Sequence, residues 1–263
     1  MINKIVVFGA SITSSPWWTW KDFLEMESGL PVVDLSRRGA GNEYMTHSLM
    51  DADIDKNTLV VGMLTNVDKF DWYVQGDQFQ ELQQEKHRPI SIDSDSGFWC
   101  TGSWFPKKKE IYKKFFYNLD YFCTRTIQQI LLIRKICESK GCSKEIFFDS
   151  PIWTYTEKQL NLYVSDGIPL EKIDMLDLPL SSKWKNLLDE QERHLDIFSI
   201  IGYCMKKDLP WHNAYYRAHP PSSSHWQYYL EIVKPRIEPY VNLSPQSEII
   251  SKIQQMDRVW KES

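Results

Sequence analysis

The sequence predicts an α/β domain, a three-layer sandwich built around a central, mostly parallel sheet. Two observations carry that prediction. Four short apolar runs, rich in β-branched residues, each end in turn-forming residues. Between them lie longer stretches whose apolar residues recur at helical spacing. Strands that alternate with helices imply parallel βαβ units covered by helices on both faces. In such sheets ligand sites lie at the carboxyl ends of the strands.

Ile5 to Phe8 reads as a strand buried on both faces, ending at Gly9, with a helix to follow over Trp18 to Met26. A second run of the same kind, Pro31 to Leu35, ends in the turn-rich segment Ser36 to Asn42, and Glu43 to Ala52 then has helical character. The third run, Thr58 to Leu64, ends in Thr65 and Asn66. A long helix is expected from about Glu110 to Lys140, where Ile111, Phe115, Leu119, Phe122, Ile130 and Ile133 recur near helical spacing and Gly141 suits the C-cap. The fourth run, Glu145 to Asp149, ends at Ser150 and Pro151. A closing helix is expected from Gln227 to Val233, before Pro235.

Two stretches stand outside this pattern. Residues 75–106 are polar and then rich in Gly, Ser and Trp; residues 154–210 are mixed, with a helix expected from Ser182 to about Met205. Both are read as insertions over the strand ends that shape a substrate groove. Residues 1–243 thus form one α/β domain. Residues 244–263 form an amphipathic C-terminal helix through Ile249, Ile250, Ile253, Met256 and Trp260. That helix is expected to pack on the domain or on a neighbouring subunit, a route to a homo-oligomer, rather than on a membrane.

A chain of 263 residues suits one core of about 150–200 residues plus insertions. A net charge of −4 and a pI near 5.9 give no global field that would gather nucleic acid. The apolar run in MINKIVVFGAS is too short for a signal-peptide core, and no stretch reaches the length of a membrane span. The expected location is cytoplasmic, or phage- or virion-associated, with release without a cleaved signal as the alternative. Cys100, Cys123, Cys137, Cys142 and Cys204 form no CxxC pair and have no His beside them to complete a zinc site, so they read as free thiols in a reducing compartment. There is no P-loop and no metal-ligand spacing of His and carboxylates, so no metal and no cofactor are expected. Lys107 to Lys109, with Lys113 and Lys114, read as a solvated helix start. The aromatic content is high, at 14% with 11 Trp. A core absorbs many of those rings; the rest could floor a groove, and sugar rings stack well on indole faces.

The candidate chemistry falls at the strand ends. Gly9-Ala10-Ser11-Ile12-Thr13 follows the first strand directly. Glycine permits a sharp turn and would put Ser11 where a helix begins, beside free backbone N–H groups, although a serine there is more often simply an N-cap. After the second strand, Gly39 and Gly41 flank Ala40, letting bare backbone approach a ligand and offer N–H groups to an anion. Asn66 puts a side-chain amide at the same edge. Near the C-terminus, His219 and Pro220 open a small-residue turn, Pro221 to Ser224, that leads to His225 and the closing helix.

Taken in order, these blocks resemble those of the SGNH (GDSL-like) hydrolase family, whose fold is flavodoxin-like. GASIT matches that family's GDSIT except that Ala10 replaces the Asp. Gly39, with Gly41 as the alternative, matches its second block, Asn66 its third, and His219-Pro220 its last. Within the family the chain is most similar to SGNH-like proteins often carried by phages, in which the last block ends in a second His such as His225. The resemblance covers the core strands and the final loop, about half the chain.

The resemblance implies a serine esterase. Ser11 would attack an ester carbonyl, with His219, or alternatively His225, as the base. The N–H groups of Ser11 and Gly39, with the Asn66 amide, would hold the oxyanion. The expected substrate is an acylated small molecule or polysaccharide, foremost an O-acetylated carbohydrate, with acyl transfer as a related outcome. The sequence departs from the family where an acid should orient the His, since Tyr216 and Arg217 occupy the usual places. A backbone carbonyl, Asp149 or Asp208 could serve instead. Otherwise the chain is a binding module, for carbohydrate or a protein partner, on a catalytically degenerate scaffold.

Overall fold

The computed structural model describes residues 1–67, 69, 71–74, 91–94, 97–101, 118–155, 173–211, 219–244 and 247–262; for residues 72–74, 91–94, 97–101, 154, 155 and 173 it describes the backbone alone. The described elements run β1 (Lys4–Gly9), α1 (Trp20–Ser28), β2 (Val32–Asp34), α2 (Asn42–Asp51), β3 (Thr58–Leu64), β4 (Asp71–Val74), β5 (Ser91–Ser94), β6 (Gly97–Thr101), α3 (Leu119–Lys140), β7 (Ser143–Phe148), β8 (Thr154–Tyr155) and β9 (Ile173–Asp174). They continue with α4 (Ser181–Lys185), α5 (Glu190–Arg193), α6 (Ile200–Lys207), α7 (Ser222–Tyr228), α8 (Lys234–Ile237) and α9 (Ile249–Glu262).

The central sheet has the order β2-β1-β3-β7, and every pair in it is parallel. This is the α/β architecture the alternating pattern predicts. Alternation along the strands divides the core into two faces. Val6, Phe8, Val60, Leu64, Ile146 and Phe148 pack toward α2 and α3 on one side. Ile5, Val7, Leu59, Val61, Met63 and Phe147 pack toward α1, α6 and α7 on the other. β3 is buried at every position because it has strands on both sides and helices on both faces. Its glycine answers a steric need: Gly62 pairs with Phe8 on β1, and a Cβ at Gly62 would come within 1.9 Å of the Phe8 ring.

Several expectations need correction. β2 is not a strand buried on both faces; it is a three-residue edge strand with only β1 beside it, and Val33 is 44% exposed. α1 starts at Trp20, not Trp18, because Thr19 forms a capping box with Asp22. The expected helix from Ser182 to Met205 is broken into α4, α5, a 3₁₀ turn (Leu195–Phe198) and α6. Polar side chains divide it. Asp189 caps α5 in a capping box with Glu192, and Asp196 accepts the backbone N–H groups of Ile152 and Trp153 at 2.7 and 2.9 Å. The closing helix starts earlier than expected and runs past Pro235: α7 passes through a π-helical stretch (Tyr229–Val233) into α8, which carries Pro near its start. Proline cannot donate the usual helical hydrogen bond, and the widened turn just before it absorbs the mismatch.

α3 ends at Gly141 as expected, with φ +66°. It is capped at Asn118, whose side chain accepts the Tyr121 N–H at 2.9 Å, and the expected start near Glu110 lies outside the described residues. The stretch read as a first insertion contains β5 and β6, which join β4, just before that stretch, in a three-stranded antiparallel sheet, β4-β6-β5, that the sequence did not announce. The lysines at 107–109, 113 and 114 lie outside the described residues. α9 packs on its own domain. Ile249 and Ile253 are buried, Asp257 accepts the Ser223 N–H at 3.0 Å, and Trp260 donates its indole N–H to the His219 carbonyl at 2.8 Å. Cys123, Cys137, Cys142 and Cys204 are free thiols, and burial raises Cys123 and Cys204 to about 12. Among the described residues no helix is long and apolar enough to cross a membrane.

Candidate active site

All four strands of the central sheet point the same way, so the segments that follow them share one edge. Ser11 lies two residues beyond β1, Gly39 follows β2, Asn66 lies two residues beyond β3, and Asp149 and Ser150 follow β7 directly. Neighbouring strands are about 4.8 Å apart, which sets the scale on which these groups lie side by side.

After β1 the chain does not enter a helix at once, as the sequence suggested; it makes a turn. Thr13 and Ser14 both donate N–H groups to the Ala10 carbonyl, at 3.1 and 3.0 Å, and the Ser15 hydroxyl donates to the Ser11 carbonyl at 2.8 Å. Thr13 folds back over the strand end so closely that a Cβ at Gly9 would lie 2.2 Å from its hydroxyl, which is why glycine stands there. Ala10 is buried and Ser11 half-buried. Among the described residues, neither the Ser11 N–H nor its hydroxyl has a hydrogen-bond partner.

The segment after β2 continues along β1. Leu35 and Arg37 donate N–H groups to the carbonyls of Val7 and Gly9, at 2.7 and 3.0 Å. The chain then reverses at Gly39, whose φ of +81° an L side chain would strain. Arg38 Nε ties this loop to the Ser14 carbonyl at 3.1 Å. The two glycines diverge here. The Gly41 N–H is taken by buried Asp71, at 2.8 Å, and the other Asp71 oxygen accepts the Tyr44 N–H at 2.7 Å. The Gly39 N–H has no acceptor among the described residues. Burial raises Asp71 to about 6, against the pull of those two N–H groups, and nearby Glu43 adds to the rise. The sequence reading missed Asp71, because it lies on β4 outside the recognised blocks.

Asn42 locks the loop after β3: its side chain accepts the Thr65 N–H at 2.9 Å and donates to the Thr65 carbonyl at 3.0 Å. Asn66 is buried, and its side-chain oxygen accepts from the Ser150 hydroxyl. Its side-chain nitrogen has no partner among the described residues. Ser150 also lies 2.8 Å from Asp149 Oδ1. Asp149 is buried, and desolvation raises its carboxyl while Lys69, Thr65 and Ser150 act in the opposite direction.

The His219 loop packs against the segment that follows Ser11. Trp17 donates its indole N–H to the Pro220 carbonyl at 2.8 Å, and the Ser222 hydroxyl donates to the Trp18 carbonyl at 2.9 Å. With Trp260 on the His219 carbonyl, two tryptophans fix consecutive carbonyls of this loop. His219 is half-buried. His225 is fully buried; its Nδ1 accepts the Trp20 N–H at 3.4 Å, and burial, with the field of nearby His219, lowers it to about 3. The structure therefore brings the two loops together without a hydrogen bond between the Ser11 hydroxyl and an imidazole. Such bonds are often long in an unliganded site. Tyr216 and Arg217 lie outside the described residues, as do the side chains of Phe98, Trp99 and Trp104. Asp208 caps the end of α6 in the left-handed region, exposed.

Three N–H donors at one edge of the sheet, those of Ser11, Gly39 and the Asn66 side chain, thus lack an acceptor among the described residues. Such an arrangement can hold an anionic oxygen beside the Ser11 hydroxyl. No family model matches the chain, and no curated protein matches it. Solved structures that the chain is similar to include a member of the lipolytic protein G-D-S-L family from Veillonella parvula, 11% identical with a TM-score of 0.44 over 88% of this chain and 96% of that one. They also include a GDSL-like lipase from Bacteroides thetaiotaomicron, 11% identical with a TM-score of 0.37 over 91% of this chain and 89% of that one.

Proposed function

We propose that the chain is an SGNH-type serine ester hydrolase with Ser11 as nucleophile, His219 as base, and an oxyanion site made by the N–H groups of Ser11 and Gly39 and the side-chain amide of Asn66. The observation that carries this reading is the set of three unpartnered donors at one sheet edge, next to a serine hydroxyl that is itself unbonded. A buried donor such as the Asn66 amide rarely goes without an acceptor, the Ser11 and Gly39 N–H groups are half-buried at the same edge, and an oxyanion would supply an acceptor for all three. Gly39 is the backbone donor, because the Gly41 N–H is already given to Asp71. His219 is the base, because a ring lowered to about 3 and facing the Trp20 N–H, as His225 is, makes a poor proton acceptor near neutral pH.

The reaction runs in two halves. As the Ser11 oxygen bonds to the acyl carbon, its proton passes to His219 and the carbonyl electron pair moves onto the oxygen held by the three donors. Collapse breaks the ester C–O bond, and the departing alcohol takes the proton from His219. Water then repeats the sequence on the acyl-enzyme, releasing the carboxylic acid and restoring Ser11. An O-acetylated carbohydrate is the proposed substrate, on the strength of the Trp-rich insertion at 98–104. Release of p-nitrophenolate from p-nitrophenyl acetate tests the reading. The protein should turn the ester over, and Ser11→Ala should fall to the rate of buffer. Equal rates for the two proteins would reject it.

A further inference from the structure

The contacts of Ser150 pose a proton-counting problem. Its one hydroxyl lies within hydrogen-bond distance of Asn66 Oδ1 and of Asp149 Oδ1, and both of those oxygens ordinarily accept. One hydroxyl proton cannot serve two acceptors. If Asp149 is ionised it takes the Ser150 proton, and Asn66 must then turn its N–H₂ toward Ser150, with its carbonyl oxygen toward the site. If Asp149 carries a proton, it donates to Ser150, Ser150 donates to Asn66 Oδ1, and the Asn66 N–H₂ is left to an incoming oxyanion. Only the second arrangement serves an oxyanion; the first presents a partial negative charge to a negative intermediate.

We infer that Asp149, in its protonated form, is a positioning residue: through the Ser150 hydroxyl it fixes which end of the Asn66 amide faces the site. The inference rests on the hydrolase reading above for its purpose, but not for its geometry. The surroundings support it. Asp149 is 4% exposed and has no ion pair among the described residues. The titratable groups that face it are Lys69, from the segment after β3, and Tyr228 of α7. Burial favours the neutral carboxyl, while Lys69 and the hydrogen bonds from Thr65 and Ser150 oppose it, with a net rise. The backbone of Asp149 is fixed on both sides: its N–H donates to the Leu64 carbonyl at 2.8 Å, and its carbonyl accepts from Ile201 at 3.0 Å. The Thr65 hydroxyl, which has no other partner among the described residues, also acts on this carboxyl.

The test uses two measurements on the full chain. The first needs no activity. The carboxyl ¹³C resonance of Asp149 should report a protonated group at neutral pH, and the side-chain N–H₂ resonances of Asn66 should stay in place in Asp149→Asn but move in Asp149→Ala and Ser150→Ala. An ionised Asp149 at neutral pH, or an Asn66 amide indifferent to all three changes, overturns the inference. The second is ester turnover. Asp149→Asn keeps an N–H donor aimed at Ser150 and should retain kcat within about threefold, whereas Asp149→Ala should lose about tenfold or more in kcat at unchanged KM, a part of what one missing oxyanion donor costs. Equal losses in Asn and Ala variants would also overturn it. If the unmodified protein shows no Ser11-dependent turnover, the hydrolase reading fails by itself, and the resonances still decide how Asp149 sets Asn66.

Discussion

Gly41→Ala should destabilise the fold through Asp71 rather than through any effect on chemistry. A Cβ at position 41 would lie 2.7 Å from Asp71 Oδ2 and 3.0 Å from both its Cγ and Oδ1, so the carboxyl must move. Moving it breaks the hydrogen bonds from the Gly41 and Tyr44 N–H groups, at 2.8 and 2.7 Å, in a site where water cannot readily replace it. Hydrogen bonds to a charged group contribute about 1.5–3 kcal/mol each, so the loss is about 3–6 kcal/mol. For a chain of this size each kcal/mol lowers Tm by about 2–4 °C, giving a fall of roughly 6–24 °C. Thermal unfolding followed by circular dichroism measures it, in a cycle with Asp71→Ala. Because both substitutions break the same pair of bonds, the double variant should melt close to the worse single variant. A Gly41→Ala protein that melts within about 2 °C of the original, or two effects that simply add, would refute this account of the α2 start.

Two further outcomes are expected. Asn66→Ala should lower kcat by about 10²–10³ with KM and Tm nearly unchanged, whereas parallel losses of activity and thermal stability would mark Asn66 as a structural loop cap. The pH dependence of stability should carry the signature of Asp71, which the folded state raises from 3.8 to about 6. The folded state therefore holds this proton more tightly than the unfolded chain does. Its contribution to stability grows as pH falls through about 6, is complete below the ordinary carboxylate range, and is lost as pH rises again, by at most about 3 kcal/mol. The stability gained between pH 7.5 and pH 5 should be larger in the original protein than in Asp71→Asn; equal gains would contradict the burial argument.

β1, β3 and β7 were legible in the sequence because they are largely buried between the two helical layers and carry apolar runs. Thr58 to Leu64 was bounded to the residue, since a central strand must be apolar at every position. β2 misled because an edge strand can carry the same Val-Val core while exposing it. The segment from Ser182 to Met205 has the apolar spacing of one helix, but its interruptions are set by where Asp189 and Asp196 place their carboxylates, which is a tertiary fact. The three-stranded sheet went unread because its strands are only four or five residues long, and the apolar residues of Asp71–Val74 and Gly97–Thr101 are too few to set a period. At the site, the order of Ser11, Gly39, Asn66 and His219 along the chain was enough to suggest a shared edge. The choice of Gly39 over Gly41 needed Asp71, whose contact with the α2 start has no local signal. The chain from Asp149 through Ser150 to Asn66 likewise joins residues that are distant in sequence, although both Asp149 and Asn66 stood out as polar groups at strand ends.

The central claim is that Ser11 is a nucleophile beside a working oxyanion site, and a fluorophosphonate probe tests it most directly because its adduct mimics the tetrahedral intermediate. Intact mass followed by peptide mapping should find one phosphonyl group per chain, on the peptide containing Ser11, with labelling abolished in Ser11→Ala and slowed in Asn66→Ala. An unlabelled protein, or an adduct on another residue that persists in Ser11→Ala, would contradict the account.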